Sequence, residues 1–338
     1  MDWLWHWLEL LAAWPAAMWW LPEAGFVAMA LACVGAFWLL LPRTVPGKPL
    51  AMLLFLPLLW PAGTRPLPGE LRVDVLDVGQ GLSVLVRTHS HALLYDAGAG
   101  GGNGPDAGES IVVPALHALG LRKLDTLLIS HGDADHAGGM AAVRRAWPQA
   151  RVLGVEGWAQ PGMGLCRDTQ AWRWDGVDFR VLHPPPWFPY LRNDSSCVLR
   201  VQAGGRVLLL PGDIGKHVET RLLHLHAARL RADLLLVPHH GSSGSSSGDF
   251  LAQVRPAVAV ASVGAGNRFG LPKAEVVARY EEAGARFLST AEGGALAFRL
   301  GPGGLQSLGA RRLQQPRYWR ERPLDGSGYA GGDVAVDR

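Results

Sequence analysis

Two hydrophobic patterns divide the chain. Up to residue 62 the apolar residues come in long runs, Trp3 to Trp20, Phe26 to Leu41 and Leu50 to Trp60, with few charges among them. From Leu71 onward short apolar segments alternate with polar, Gly- and Pro-rich ones, which predicts strands and helices joined by loops. Leu71–Val78 and Leu82–Thr88 read as strands of period two, joined at Gly79-Gln80-Gly81. His91–Tyr95 follows and ends in Asp96-Ala97-Gly98. After a Gly-rich loop, Ser110–Leu119 reads as a helix, Leu124–Ile129 as a buried strand and Ala137–Trp147 as a helix stopped by Pro148. Strands are then expected at Val152–Val155, Phe179–Leu182, Cys197–Val201, Arg206–Leu210, Leu234–Val237, Ala257–Ser262, Arg286–Ser289 and Ala295–Leu300. Helices are expected at His217–Leu230 and Lys273–Ala283. Interspersed strands and helices of this kind make a layered α/β domain.

The N-terminal runs predict membrane helices. A spanning helix needs about 20 apolar residues, and the middle run approaches that length. The first run carries His6, Glu9 and six tryptophans (Trp3, Trp5, Trp7, Trp14, Trp19, Trp20), a residue enriched at the membrane–water interface. No basic segment precedes it, which argues against a cleavable signal peptide. Arg43 and Lys48 lie between the second and third runs. By the positive-inside tendency that loop is cytoplasmic, so the third run crosses outward and residues 63–338 lie outside.

Composition adds little to this picture. Charged residues are 18% of the chain, below the usual level of about 25%, and the deficit sits in the first 62 residues. A net charge of +3 does not by itself argue for nucleic-acid binding. The three cysteines form no zinc pattern. In an extracytoplasmic domain Cys166 and Cys197 could pair; the alternative is two unrelated buried thiols. After residue 301 the chain is Gly-rich, with a basic-aromatic cluster (Arg311, Arg312, Arg317, Tyr318, Trp319, Arg320, Arg322), and reads as a poorly ordered tail.

The chemistry concentrates at strand ends. Ser130-His131-Gly132-Asp133-Ala134-Asp135-His136-Ala137-Gly138-Gly139 puts four possible metal ligands within six positions, between an apolar strand and a helix. Leu208-Leu209-Leu210-Pro211-Gly212-Asp213 delivers a carboxylate just past another strand. Leu234 to Pro238 is followed by His239-His240-Gly241-Ser242. Any one of these could be a surface turn; three in one domain point to a converging metal site.

These segments, with Asp77-Val78-Gly79-Gln80-Gly81 and Asn193-Asp194-Ser195-Ser196, resemble the successive motifs of the metallo-β-lactamase superfamily. Their wording resembles the hydrolase-like domain of ComEC-type competence proteins, the channel of bacterial DNA uptake. The resemblance covers Leu71 to about Leu300. It implies an αββα sandwich over residues 71–300, preceded by transmembrane or interfacial helices over 1–62 and a linker at 63–70, and followed by the tail at 301–338. Residues 1–62 would then be the end of the family's channel region, in a truncated chain.

By resemblance, two divalent ions, manganese or zinc, are expected. His131 and Asp133 would hold one, Asp135 and His136 the other, and Asp213 would bridge them. One of His239 and His240 would complete the second site and the other would support it. Asn193, Ser196 and Ser242 would lie near metal or substrate, and Asp77 and Asp96 at the floor of the site, orienting ligands. An aspartate at 133, where the superfamily more often has histidine, favours harder ions. Leu271 stands where family members commonly have a histidine. The implied catalytic residues are Asp135, His136 and Asp213, and the implied reaction is phosphodiester hydrolysis of the DNA strand that is not imported. The partners would be single-stranded DNA, the inner membrane and other DNA-uptake proteins, with the hydrolase domain on the periplasmic side. A lactone or β-lactam hydrolase, or a domain that guides DNA without cutting it, are the alternatives.

Overall fold

In a computed structural model of the chain, residues 2–14, 17, 19–60, 65–100, 106–316 and 332–333 are described. The chain divides into two compact units, residues 1–64 with 115–122, and residues 65–114 with 123–338.

The first unit contains helices α1 (Asp2–Ala13), α2 (Phe26–Leu40), α3 (Lys48–Leu53) and α4 (Leu56–Leu59). The expectation of spanning helices is corrected here. Among the described residues no helix is long and apolar enough to cross a membrane. The longest, α2, has 15 residues, about 22 Å of rise against a hydrocarbon core of about 30 Å. Proline sets the lengths. Pro42 forces Leu41 out of helical geometry, at ψ 159°, and closes α2. The third run breaks into the six residues of α3 and the four of α4, each opening on a proline in its first turn. These helices still expose large apolar side chains, Trp3, Phe26, Leu40 and Trp60 among them.

The second unit is built on two sheets. Its elements in chain order are β1 (Leu71–Val75), β2 (Val84–Arg87), β3 (Ala92–Tyr95), a widened helical turn (Gly108–Val112) leading into α5 (Val113–Ala118), whose residues from Ala115 on belong to the first unit, and β4 (Thr126–Leu128). Next come α6 (Ala134–Ala137), α7 (Met140–Ala146), β5 (Arg151–Gly154), β6 (Gly164–Leu165), β7 (Ala171–Trp174), β8 (Val177–His183), β9 (Val198–Ala203) and β10 (Arg206–Leu210). Then follow α8 (Lys216–Leu230), β11 (Leu234–Leu236), α9 (Gly248–Val254), β12 (Val258–Ala261), α10 (Ala274–Glu282), β13 (Arg286–Ser289), α11 (Thr290–Gly293), β14 (Leu296–Gly301), β15 (Gly304–Ala310), α12 (Arg311–Gln314) and β16 (Gly332–Asp333).

One sheet runs β16-β15-β14-β1-β2-β3-β4-β5-β6 and the other β13-β12-β11-β10-β9-β8-β7. The inward residues of both sheets, such as Val73, Tyr95, Phe179, Leu208 and Phe298, share one fully buried core. The outward residues of the second sheet, among them Leu209, Leu235 and Ala259, form a second core with Leu222 of α8, Phe250 of α9 and Tyr280 of α10. Leu85, Leu94 and Leu127, outward on the first sheet, are equally buried. Strands buried on both faces are near-continuous apolar runs, as Leu124–Ile129 and Leu234–Val237 are.

Residues 301–338 are not one loose tail. Gly304–Ala310 is a strand paired antiparallel with β14, and α12 follows it directly. Arg317, Tyr318, Trp319, Arg320 and Arg322 lie outside the described residues. Cys166 and Cys197 are joined in a disulfide, with Cα atoms 6.1 Å apart.

Candidate metal centre

The site forms where parallel strands of both sheets end. In the first sheet β3, β4 and β5 are parallel neighbours, and in the second β10, β11 and β12. The chain leaving β3 carries Asp96, and that leaving β4 carries His131 to His136. Asp213 follows β10 and His240 follows β11. Ligands leave the C-terminal ends of neighbouring strands, so they converge without long loops.

Asp135, His136, Asp213 and His240 bring one ligand atom each within 4.8 Å of all the others. His136 Nε2 lies 3.2 Å from an Asp213 oxygen and 3.1 Å from His240 Nε2. His240 Nε2 is 3.4 Å from Asp135 Oδ2 and 3.5 Å from Asp213 Oδ2. His131 stands beside this group, its ring centroid 4.2 Å from that of His136.

The neighbours fix the tautomers. His136 Nδ1 is 2.8 Å from Asp96 Oδ2, and the same buried carboxylate accepts from Ser130 N at 2.6 Å and Ser130 Oγ at 2.7 Å. A carboxylate engaged this way only accepts, so His136 Nδ1 carries the proton and donates it. His240 Nδ1 likewise donates to the Ser262 carbonyl at 2.7 Å. Each ring therefore aims an Nε2 lone pair at the other across 3.1 Å, beside two carboxylates. Positive charge between these members, as a proton or a metal ion, satisfies them. Although burial opposes charge on either ring, Asp213 and its fellow carboxylates raise the pKa of both His136 and His240. Asp213 is held well below the usual carboxylate range: burial opposes its ionisation, but His136 and His240 outweigh burial.

His131 gives the most direct test of a metal. Its Nδ1 lies 3.1 Å from Ser130 Oγ and 3.3 Å from Ser196 Oγ. Its Nε2 is buried and has no hydrogen-bond partner. Burial, with His136 adding to it, lowers its pKa to about 4. A neutral imidazole with an orphaned buried nitrogen next to an acid–imidazole cluster fits a divalent ion and leaves no other use for that atom.

The remaining expected residues divide into those the fold brings to the site and those it does not. Ser196 bridges His131 and Asp213, accepting from Asp213 N at 3.0 Å. His239 is half-buried, with Nε2 3.1 Å from the Asn193 side-chain amide and 4.0 Å from Asp213 Oδ2. Between the two histidines, His240 therefore enters the cluster and His239 flanks it. Both occupy left-handed backbone conformations, φ 49° and 53°, a strain of about 1–3 kcal/mol each that is common where side chains must be aimed.

Asp133 does not join the cluster. Its carboxylate is 3.0 Å from Arg192 Nη2, at the mouth of a cleft of about 470 Å³ lined also by Asn193, Asp194, Asp213 and His239. Asp77 is corrected too: it receives Arg312 Nη2 at 2.7 Å and fastens α12 to the chain after β1. Ser242 Oγ accepts from Gly244 N at 3.4 Å within its own turn. Leu271 packs against the second core, and the Asn267 side chain bonds its backbone on both sides. Ser130, Ser262 and Arg192 were not foreseen as participants. Ser130 adjoins His131 and could have been read; Ser262 acts through its carbonyl, which leaves no side-chain signal.

The sequence of residues 76–264 matches the family model described as the metallo-β-lactamase superfamily. The chain is a member of the metallo-β-lactamase superfamily. As a metallohydrolase of that superfamily it has competence proteins among its relatives. It is 40% identical to competence protein ComA of Neisseria gonorrhoeae over 88% of this chain and 42% of that one. It is 33% identical to recombination protein 2 of Haemophilus influenzae, over 74% of this chain and 31% of that one. With ComE operon protein 3 of Bacillus subtilis it shares 29% identity over 75% of this chain and 36% of that one. The chain thus spans less than half the length of these relatives.

Proposed function

We propose that the protein is a membrane-associated, metal-dependent phosphodiesterase that degrades one DNA strand during DNA uptake. The observation that carries this is the cleft in front of the cluster. It is open, and most of the residues lining it carry charged or polar side chains: Asp133, Asp194 and Asp213, the Arg192 guanidinium, 73% exposed and paired with Asp133, and Asn193 and His239, beside Leu191 and two glycines. A site for a small apolar substrate is enclosed and mostly apolar; this one suits a charged, extended chain.

In this reading Asp135, His136, Asp213 and His240 would hold one divalent ion, and His131, through its unpartnered Nε2, would help to hold a second, which Asp133 would join only by leaving Arg192. Such ions lower the pKa of water and offset charge on a phosphoryl group. Asp96, Ser130 and the Ser262 carbonyl keep the imidazoles in the tautomers that can bind. Asp135, about one-third exposed, would take the proton of an attacking water on Oδ2. Asn193 and His239 face the phosphoryl oxygens, and Arg192 faces the flanking phosphate. The buried sides of the cluster exclude water from everywhere but the cleft.

Membrane association rests on the exposed tryptophans and aliphatic residues of α1 to α4, which meet the interfacial region of a bilayer without crossing it. The disulfide supports a position on the outer, oxidising side. Other DNA-uptake proteins are the partners expected of such a chain.

The test is metal analysis of the full chain, with cleavage of single-stranded DNA compared in Mn²⁺ and Zn²⁺. Bound metal, cleavage, and loss of cleavage in Asp135→Ala are expected. Turnover of a lactone without DNA cleavage by the metal-loaded protein would overturn the reading.

A further inference from the structure

The outer face of the second sheet holds a segregated set of cations next to the cleft. Gly215 lines the cleft, and Lys216, the next residue, opens α8. On that helix Lys216, His217, Arg221, His224 and Arg229 are exposed. Its one acidic residue, Glu219, is buried, with its carboxylate accepting from Ser247 N at 2.8 Å. On the adjoining strands Arg180 of β8 stands directly opposite Arg200 of β9, and Arg200 Nε donates to the Arg229 carbonyl at 2.9 Å. Like charges opposed across a sheet are destabilising. The carboxylates that face this set are Asp168, Asp178 and the buried Glu219, which lies near Lys216, and Asp178 already pairs with Arg173 at 3.5 Å. Among the described residues, Lys216, Arg180, Arg221 and Arg229 have no ion pair with a carboxylate.

An aromatic step links the cleft to this face. The Asp194 carbonyl, at the cleft, accepts from His183 Nε2 at 2.8 Å. The His183 ring meets Phe188 edge-on at 4.6 Å, and the Arg221 guanidinium lies 6.0 Å from the Phe188 ring. Beside it, Trp187 is 84% exposed, with Arg167 5.9 Å from its ring. An indole exposed to that degree on a folded domain, beside the Arg167 guanidinium that Glu156 holds at 3.0 Å, has the makings of a base-stacking platform.

We propose that this surface, from Trp187 through Arg221 and Lys216 to Arg180 and Arg229, is a track that holds single-stranded nucleic acid leading to or from the cleft. The proposal rests on the reading of the site as a DNA phosphodiesterase and adds where the chain of the substrate lies. Phosphates sit on the cations, and a base stacks on Trp187. A duplex offers no free base face to the indole, so the track selects single strands. A lipid surface is the poorer occupant, because Val218, Leu222 and Leu230 of α8 are buried in the domain and Leu225 alone of its large apolar side chains is exposed, too little apolar surface for a helix to enter a bilayer.

The experiment measures binding of a labelled oligo-dT to the full chain in chelator, over a salt series. The variant carrying Lys216→Gln, Arg180→Gln, Arg221→Gln and Arg229→Gln should reduce the slope of log K against log salt by about 3, at about 0.7 per lost phosphate contact. Trp187→Ala should weaken oligo-dT binding about ten-fold, leaving duplex binding unchanged. Hydrolysis of a small chromogenic phosphodiester by the metal-loaded protein should be unaffected in both. An unchanged slope, or an equal fall in a control variant with Arg144, Arg145, Arg151 and Arg255 made Gln, would overturn the proposal. So would retained oligo-dT binding with lost binding to anionic lipid vesicles. If the slope falls as expected while no variant, nor the parent, cleaves any phosphodiester, the track stands and the phosphodiesterase reading fails.

Discussion

The tautomer argument makes Asp96→Asn the most informative substitution. Asp96 is fully buried and accepts three hydrogen bonds, from Ser130 N, Ser130 Oγ and His136 Nδ1, at 2.6, 2.7 and 2.8 Å. Asparagine has nearly the same shape but can accept through one oxygen only. With Oδ1 kept on Ser130 N–H, the amide Nδ2 faces His136 and donates, so His136 must offer a lone pair at Nδ1. Its proton then moves to Nε2, the nitrogen that points at Asp213 and His240. Loss of such a supporting group costs about 10- to 100-fold in metal affinity, about 1.4–2.7 kcal/mol. A separate loss falls on the fold itself. Two bonds to Ser130 change from charge-assisted to neutral, at about 1 kcal/mol each, so the metal-free variant should be about 2 kcal/mol less stable. Competition with a chelating dye reads the first quantity and urea unfolding in chelator reads the second. An Asp96→Asn protein that is folded and binds zinc as tightly as the parent would refute the assignment of protons in this site.

Four further outcomes are expected. His183 is buried with its pKa lowered to about 4, chiefly by burial, against the Asp194 carbonyl and with help from Arg221. The unfolded chain therefore takes up a proton near pH 6.5 that the folded chain refuses until about 4. Stability falls by about 3 kcal/mol as pH drops through that window, and urea unfolding of His183→Asn should show a correspondingly shallower pH dependence than the parent. Reducing the Cys166–Cys197 bond, which closes a separation of 31 residues, should cost about 3–4 kcal/mol, seen as a lower denaturation midpoint with dithiothreitol. A Cβ on Gly139 would run into the Ala97 carbonyl and the Gly108 Cα; Gly139→Ala should lose about 1–3 kcal/mol or fail to fold, as thermal unfolding will show. Adding zinc to the apoprotein should raise the unfolding temperature with zinc concentration, an increase that Asp213→Asn should largely remove in calorimetry.

Strand ends were the legible part of this molecule. A run such as Leu234–Val237 can be read as a doubly buried strand because both of its faces are apolar, and the residue types just past it then declare themselves. His136, Asp213 and His240 follow from that logic. Asp133 did not, because two carboxylates two positions apart at a helix start face different ways: Asp135 turns inward on α6 while Asp133, at its N-cap, turns to Arg192. Asp77 was misread for a related reason. Its partner Arg312 lies 235 residues away, in a segment whose Gly-rich start hides the alternation of β15. The N-terminal runs misled because Phe26 to Leu41, closed by Pro42, makes a helix of only 15 residues, and because the third run contains Pro57, where a new short helix begins. Their exposed faces keep the apolar character that the runs announced, but in short pieces.

The ligands come from loops of both sheets: His131, Asp135 and His136 follow β4, while Asp213 and His240 follow β10 and β11. An ion held there would act as a rivet through the two layers, most of its donors buried between them and the open cleft its approach. A chelator would come in by that side, so stripping the metal should quicken as chelator is added, and the stripped protein should lose a tie between its sheets.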